Sequence, residues 1–255
     1  SELLSLGIDT SNYKTSVAVV DCKGKVLFNH QEYLDVKKSE RGLRQSEAFF
    51  QHVQKLPEAL QKALADFSIR ENIGAVSFST RPRPIEGSYM PVFTAGTGYG
   101  KAVAAAMGVP YYEFSHQEGH IEAIRFYSSL KNVSPLICFH FSGGTTEALL
   151  VDDEKGIFEI VGGTKDIAYG QVLDRVGVSL GLDFPCGEAL DQMAVRAIGH
   201  RDILTPIKTK EGYVNLSGIE TQCGKALEQY PQMELIEDLF EKLSRSILEM
   251  TLQLS

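Results

Sequence analysis

The stretch from Leu6 to Asp21, LGIDTSNYKTSVAVVD, decides how the rest of the chain is read. An apolar run ending at Asp9 meets turn chemistry at Thr10, Ser11 and Asn12. A β-branched apolar run then resumes from Thr15 to Asp21. Apolar runs separated by small hydroxyl and amide residues predict a β-hairpin, here Leu3 to Asp9 paired with Thr15 to Asp21. A second turn at Lys23-Gly24-Lys25 leads to a third strand from Val26 to Leu34.

Outward from the hairpin, Phe49, Val53, Leu56, Leu60 and Leu64 recur at helical spacing and predict a helix over 45–67. Ile73 to Ser79 reads as a buried strand, followed by a Pro/Gly-rich loop. Thr94 to Met107, rich in Ala and Gly, reads as a tightly packed helix. Pro110 to Ser115 is a short strand running into His116. The plan then restarts: Leu136 to Phe141, a Ser142-Gly143-Gly144 turn, Thr145 to Val151, and Ile157 to Val161. Helices follow over Val172 to Leu180 and Ala189 to Ile198, then a Gly/Thr-rich connection at 201–224 and an amphipathic helix from Glu234 towards Leu254. A three-strand meander followed by alternating helix and strand, begun twice, is the plan of an α/β protein with a duplicated ribonuclease-H-like fold of the actin/Hsp70-like (ASKHA) kind. The expected division is a first lobe over 1–133 and a second, partial lobe over 134–255 with a helical insertion. A complete second half would need two more strands, so an incomplete one is the expectation.

Composition narrows the function. A net charge of -8 argues against a broad basic surface that binds nucleic acid unaided. Four scattered cysteines without a C-x-x-C pair give neither a zinc knuckle nor a disulfide framework, which makes a reducing, cytoplasmic setting the expectation. No apolar run approaches a membrane span of about 18 residues.

Three features could carry chemistry. The hairpin tips Asp9-Thr10-Ser11 and Ser142-Gly143-Gly144-Thr145-Thr146 combine small residues and hydroxyls, as phosphate binding by backbone N–H groups requires; two ordinary β-turns would read the same way. His116 and His120 are spaced i, i+4, which on a helix puts two imidazoles on one face as a metal pair requires. Glu118 stands one place too late for a zincin protease, and a pair of surface histidines is the plainer alternative. Asp166, Asp174 and Asp191 punctuate a Gly-rich segment and could hold ribose hydroxyls or water around a metal. Asp166 also suits the N-cap of the helix that follows it, whereas mid-helix positions make capping an unexpected role for Asp174 and Asp191.

Together these segments resemble the TsaD/Gcp family, the enzymes that make threonylcarbamoyladenosine in tRNA, once named O-sialoglycoprotein endopeptidases. Leu6 to Asp21 is similar to the family's LGIETSCDETSVAVV, and His116 to Ala123 (HQEGHIEA) to its H-x-E-G-H-x-x-A. Ser142 to Val151 is close to S-G-G-H-T, and Ile167 to Asp191 parallels A-A-G-E-A-F-D-K-x-A-x-x-L-G-L-x-Y-P-G-G-x-x-x-D. The resemblance implies that His116 and His120 hold one divalent metal, iron or zinc. It also implies that Phe141, Ser142, Gly143, Gly144, Thr145, Asp174, Gly187 and Asp191 line a nucleotide pocket for threonylcarbamoyl-AMP or ATP. The implied partners are tRNA and TsaB/TsaE-like proteins in a hetero- or homodimer, with no membrane. Departures are Lys14 where the family has Glu, Thr145 for the His of S-G-G-H-T, and a longer 80–100 loop. The family's last metal ligand, an Asp, and its adenosine-binding Asn would fall past residue 255. The alternatives are a non-catalytic TsaB-like scaffold and, further off, a metalloprotease.

Overall fold

In a computed structural model, residues 2–11, 13–37 and 43–255 are described; Asn12, expected in the first turn, lies outside them. The chain divides into two compact units, Ser1–Val133 and Ser134–Ser255.

In the first unit, β1 (Leu4–Asp9), β2 (Lys14–Asp21) and β3 (Val26–Tyr33) form the expected antiparallel meander. Leu4, Leu6 and Ile8 alternate into the core with Val17 and Val19 opposite them, because a strand turns successive side chains to opposite faces. The helix α1 (Gln45–Ala63) and the strand β4 (Ile73–Arg81) follow, with the short α2 (Phe67–Arg70) between them. One long helix to Phe67 was expected; Asp66 interrupts it, its carboxylate accepting from Ser68 N at 2.8 Å to start α2. The buried stripe of α1 also differs. Ala48, His52, Leu56, Ala59 and Ala63 face the core, while Phe49 is exposed.

The helix α3 (Phe93–Met107) packs on β4 and α1, and β5 (Tyr111–Ser115) closes the sheet in the order β3-β2-β1-β4-β5. Its glycines permit the close approach: a Cβ on Gly100 would fall 2.3 Å from the Phe78 ring. The helix α4 (His116–Phe126) begins directly after β5.

In the second unit, β6 (Leu136–Phe141), β7 (Thr146–Asp152) and β8 (Ile157–Thr164) repeat the meander. The helices α5 (Tyr169–Ser179) and α6 (Gly187–Val195) follow. The 201–224 connection holds more structure than its Gly/Thr content suggested. It contains β9 (Thr209–Lys210), β10 (Tyr213–Val214) and most of α7 (Ser217–Ala226), and α8 (Gln232–Leu254) closes the core. The sheet order is β6-β7-β8-β10-β9, with β10 parallel to β8.

The two units therefore share the meander and differ at its edges. Parallel β4 pairs with β1 in the first unit. Among the described residues no strand takes that place beside β6, and the second sheet grows instead from β8. The duplication holds for three strands and stops there. No helix of the described residues is long and apolar enough to cross a membrane.

Candidate functional site

The start of α4 is fixed by a capping box. The Ser115 hydroxyl accepts from Glu118 N at 3.1 Å, and the Glu118 carboxylate accepts from Ser115 N at 2.5 Å. This places His116 in the first turn and His120 one turn later on the same face. Their Nε2 atoms lie 2.8 Å apart, with the rings edge to face at 83°.

Behind His116 stands Asp9, at the end of β1. Its Oδ2 meets His116 Nδ1 at 2.9 Å and accepts from Ser11 Oγ at 3.0 Å. Its Oδ1 accepts from Ser79 Oγ at 2.5 Å and Ser11 N at 3.2 Å. Burial pushes the Asp9 carboxyl up, but the His116 imidazole and the Ser79 and Ser11 hydroxyls outweigh it and hold it below the usual carboxylate range. A carboxylate at Nδ1 favours the tautomer with its proton on that nitrogen, leaving the His116 Nε2 lone pair directed towards His120.

The donor set therefore fits a transition metal. Two imidazole Nε2 atoms converge on one region, and a carboxylate orients one ring from behind, as in carboxylate–histidine–metal arrangements. A metal needs at least one more ligand than the pair supplies. Among the described residues, the one group of three potential ligands lies elsewhere, at His200, Asp238 and Glu241. There a fixed cation already sits: Lys242 Nζ is 2.8 Å from Asp238 and 3.6 Å from Glu241. Asp238 also accepts from Ile203 N and Leu204 N, so this group pins the 200–205 segment to α8.

At the first hairpin tip, expected to bind phosphate, the side chains are engaged within the unit. Thr10 is fully buried; its hydroxyl donates to Val92 O at 2.9 Å and accepts from Gly96 N at 3.2 Å, fastening the start of α3 to the sheet. The Asp9 carboxylate and the Ser11 hydroxyl are held in the cluster around His116. The side chains of this tip thus hold an imidazole and the start of α3.

The second tip is open. Ser142, Gly143 and Gly144 are exposed, with Ser142 N donating to Thr145 O and Thr145 N to Ser142 Oγ. Phe141 is exposed and packs edge to face on Tyr169, whose phenol burial pushes up to about 12. Gly170 brings α5 against this tip: a Cβ there would lie 3.0 Å from Ser142 O. Asp174, one turn along the same face, accepts from Cys186 N at 2.9 Å and so caps the start of α6 from outside, contrary to the expectation that capping was not its role. Gly187 opens α6 with space around it, and Asp191 is exposed one turn further on. Gly170 thus links α5 to the Ser142–Gly144 tip, and Asp174 links α5 to the start of α6.

Asp166 is a cap as well, but of a distant helix. Its carboxylate accepts from Leu216 N and Ser217 N at the start of α7, while Ala168 takes the N-cap position of α5. Sequence reading missed Ser79, which no local pattern marks because it reaches Asp9 across 70 positions. It also missed the Ser115–Glu118 box, although S-x-x-E is a recognisable helix-start signature.

Two sheets with duplicated antiparallel meanders, each leading into helices, give this chain an actin/Hsp70-like fold. The likeness extends to T. kodakarensis HypF (TM-score 0.60, 12% identity, 98% of this chain and 40% of that one). Over residues 25–254 the chain matches the TsaD family, tRNA N6-adenosine threonylcarbamoyltransferase, and it belongs to that family. Relatives of that name include one from Caldicellulosiruptor saccharolyticus, 30% identical over 97% of this chain and 73% of its own length. Another, from Riemerella anatipestifer, is 31% identical over 96% of this chain and 72% of its own length.

Proposed function

We propose that the chain transfers the threonylcarbamoyl group of threonylcarbamoyl-AMP to the adenosine beside the tRNA anticodon. The observation that carries this reading is the His116–His120 pair with Asp9 behind it, within a family of that activity. In the transfer, the adenine exocyclic nitrogen attacks the carbamoyl carbon. The bond from that carbon to the phosphate oxygen breaks, AMP leaves, and the nitrogen loses a proton. Iron or zinc, held by His116 and His120, would supply Lewis-acid polarisation of the group under attack.

The chain's own residues do the rest. Asp9 fixes the His116 tautomer and ring angle. The exposed backbone of Ser142, Gly143 and Gly144 offers N–H groups to phosphate oxygens. Asp174 holds the first residues of α6 in place, and Asp191 offers a carboxylate to ribose hydroxyls. The acidic chain binds tRNA with the help of TsaB/TsaE-like partner proteins. A metalloprotease would need a free general base; Glu118 is instead tied to Ser115 N.

The test is metal content and product formation together. Purified protein is expected to hold metal that is lost in the His116→Ala/His120→Ala double variant. With partner proteins and threonylcarbamoyl-AMP, it should yield threonylcarbamoyladenosine in tRNA. Metal in neither protein together with no product would sink this reading.

A further inference from the structure

Lys14 opens β2 on the same face of the first sheet as the histidine pair. Lys14, Ser16 and Ala18 alternate with Thr15 and Val17, which are buried on the other side. Ser16 and Ala18 line an open pocket of about 540 Å³ that also takes in Asp9, His116, His120 and Gln31. Lys14 Nζ donates to Gln31 Oε1 at 3.2 Å and lies 4.8 Å from the centre of the Tyr33 ring. In the sheet register Asp9 pairs with Ser16, and Ser16 with Gln31. Asp9 and Gln31 therefore stand in one row, two strands or about 10 Å apart. The ammonium is within reach of a molecule bound against the histidines.

Among the described residues Lys14 makes no ion pair; a neutral amide and an aromatic face hold it, and an ammonium has three protons to donate. The acids that line the pocket are engaged otherwise: Asp9 with His116, Glu118 with Ser115 N, and Glu122 with Arg125. A lysine kept for packing would be as well placed with a carboxylate beside it. This one is pre-positioned with its charge unanswered among the described residues.

We propose that Lys14 is the anion-recognising residue of this pocket and contacts a carboxylate or phosphate oxygen of a ligand bound beside the histidine pair. The choice of probes rests on the transferase reading; the geometry does not. Binding of N-carbamoyl-L-threonine (carboxylate), AMP (phosphate) and adenosine (no anion) is measured by titration calorimetry on the full chain and on Lys14→Gln, Lys14→Arg and Lys14→Glu. One anionic probe is expected to weaken roughly fivefold to tenfold in Lys14→Gln, more in Lys14→Glu, and little in Lys14→Arg, with adenosine unchanged. Which probe responds tells the carboxylate from the phosphate.

Unchanged affinities in Lys14→Gln overturn the proposal, as does equal weakening of all three probes, or no anion binding by the wild type. If the wild-type chain makes threonylcarbamoyladenosine while Lys14→Gln binds both anions normally, only the Lys14 assignment falls. If Lys14 governs anion binding but no product forms, the anion contact stands and the reaction reading falls.

Discussion

The two hairpin tips are built from the same kinds of residue and sit in different surroundings. At Asp9-Thr10-Ser11 every side chain is engaged inside the first unit: Thr10 to Val92 and Gly96, Ser11 to Asp9, and Asp9 to His116 and Ser79. At Ser142-Gly143-Gly144 the chain is exposed, and among the described residues the Ser142 side chain bonds only within the tip, to Thr145 N. Small size and a hydroxyl suit a tip either for close packing or for close approach of a ligand. What differs is the neighbourhood. The first tip is overlaid by the start of α3 and by α4, whereas Gly170 and Tyr169 approach the second.

The largest effect expected from breaking this contrast is at Asp9. In Asp9→Asn the imidazole loses its charged partner, and metal affinity, measured by competition with a chromophoric chelator, should fall about 10–100-fold. Retention of full affinity would mean that the first tip does not orient His116. Thr10→Val comes next. It removes the donor to Val92 O and leaves Gly96 N–H buried without an acceptor, a loss of about 1–3 kcal/mol in urea unfolding. A neutral result would show that α3 is held by packing alone.

Asp166 sharpens the comparison between carboxylates. Like Asp9 it is held below the usual carboxylate range, but by backbone and side-chain hydrogen bonds around Leu216 and Ser217 acting against burial, with no imidazole involved. Its depressed value means that its contribution is complete above the unfolded carboxylate range near pH 4 and is lost as pH falls below it. Asp166→Asn should therefore cost about 1 kcal/mol at neutral pH, with the gap to wild type closing in strongly acidic solution. A pH-independent gap would assign the effect to packing. The smallest effect is at Gly144, where a Cβ would meet nothing within 4 Å. Gly144→Ala should leave stability within about 0.5 kcal/mol, yet weaken AMP binding if the second tip is the ligand-facing one.

The strands and helices were legible because burial imposes its period on the chain. Leu4, Leu6 and Ile8 alternate, and α1 carries an apolar residue every third or fourth position. Where the period is read from apolarity alone it can slip, as at Phe49, which is exposed beside the buried Ala48 and His52. The short strands β9 and β10 escaped because two residues carry no period at all. Their pairing comes from β8, where Gly163 N donates to Gly212 O and Lys165 N to Val214 O, and not from their own side chains.

Sequence by itself determined the twice-begun meander, the helical pair of histidines and the kinship that orders these motifs. Each of these is a local pattern, or a string of local patterns, and local spacing is what a sequence states directly. Tertiary structure alone decided that Asp9 serves His116, that Ser79 serves Asp9, that Asp166 caps α7 and that Asp174 caps α6. Each of those is a hydrogen bond between residues distant in the chain. A carboxylate accepts from whatever donor the fold brings within about 3 Å, and only packing chooses that donor.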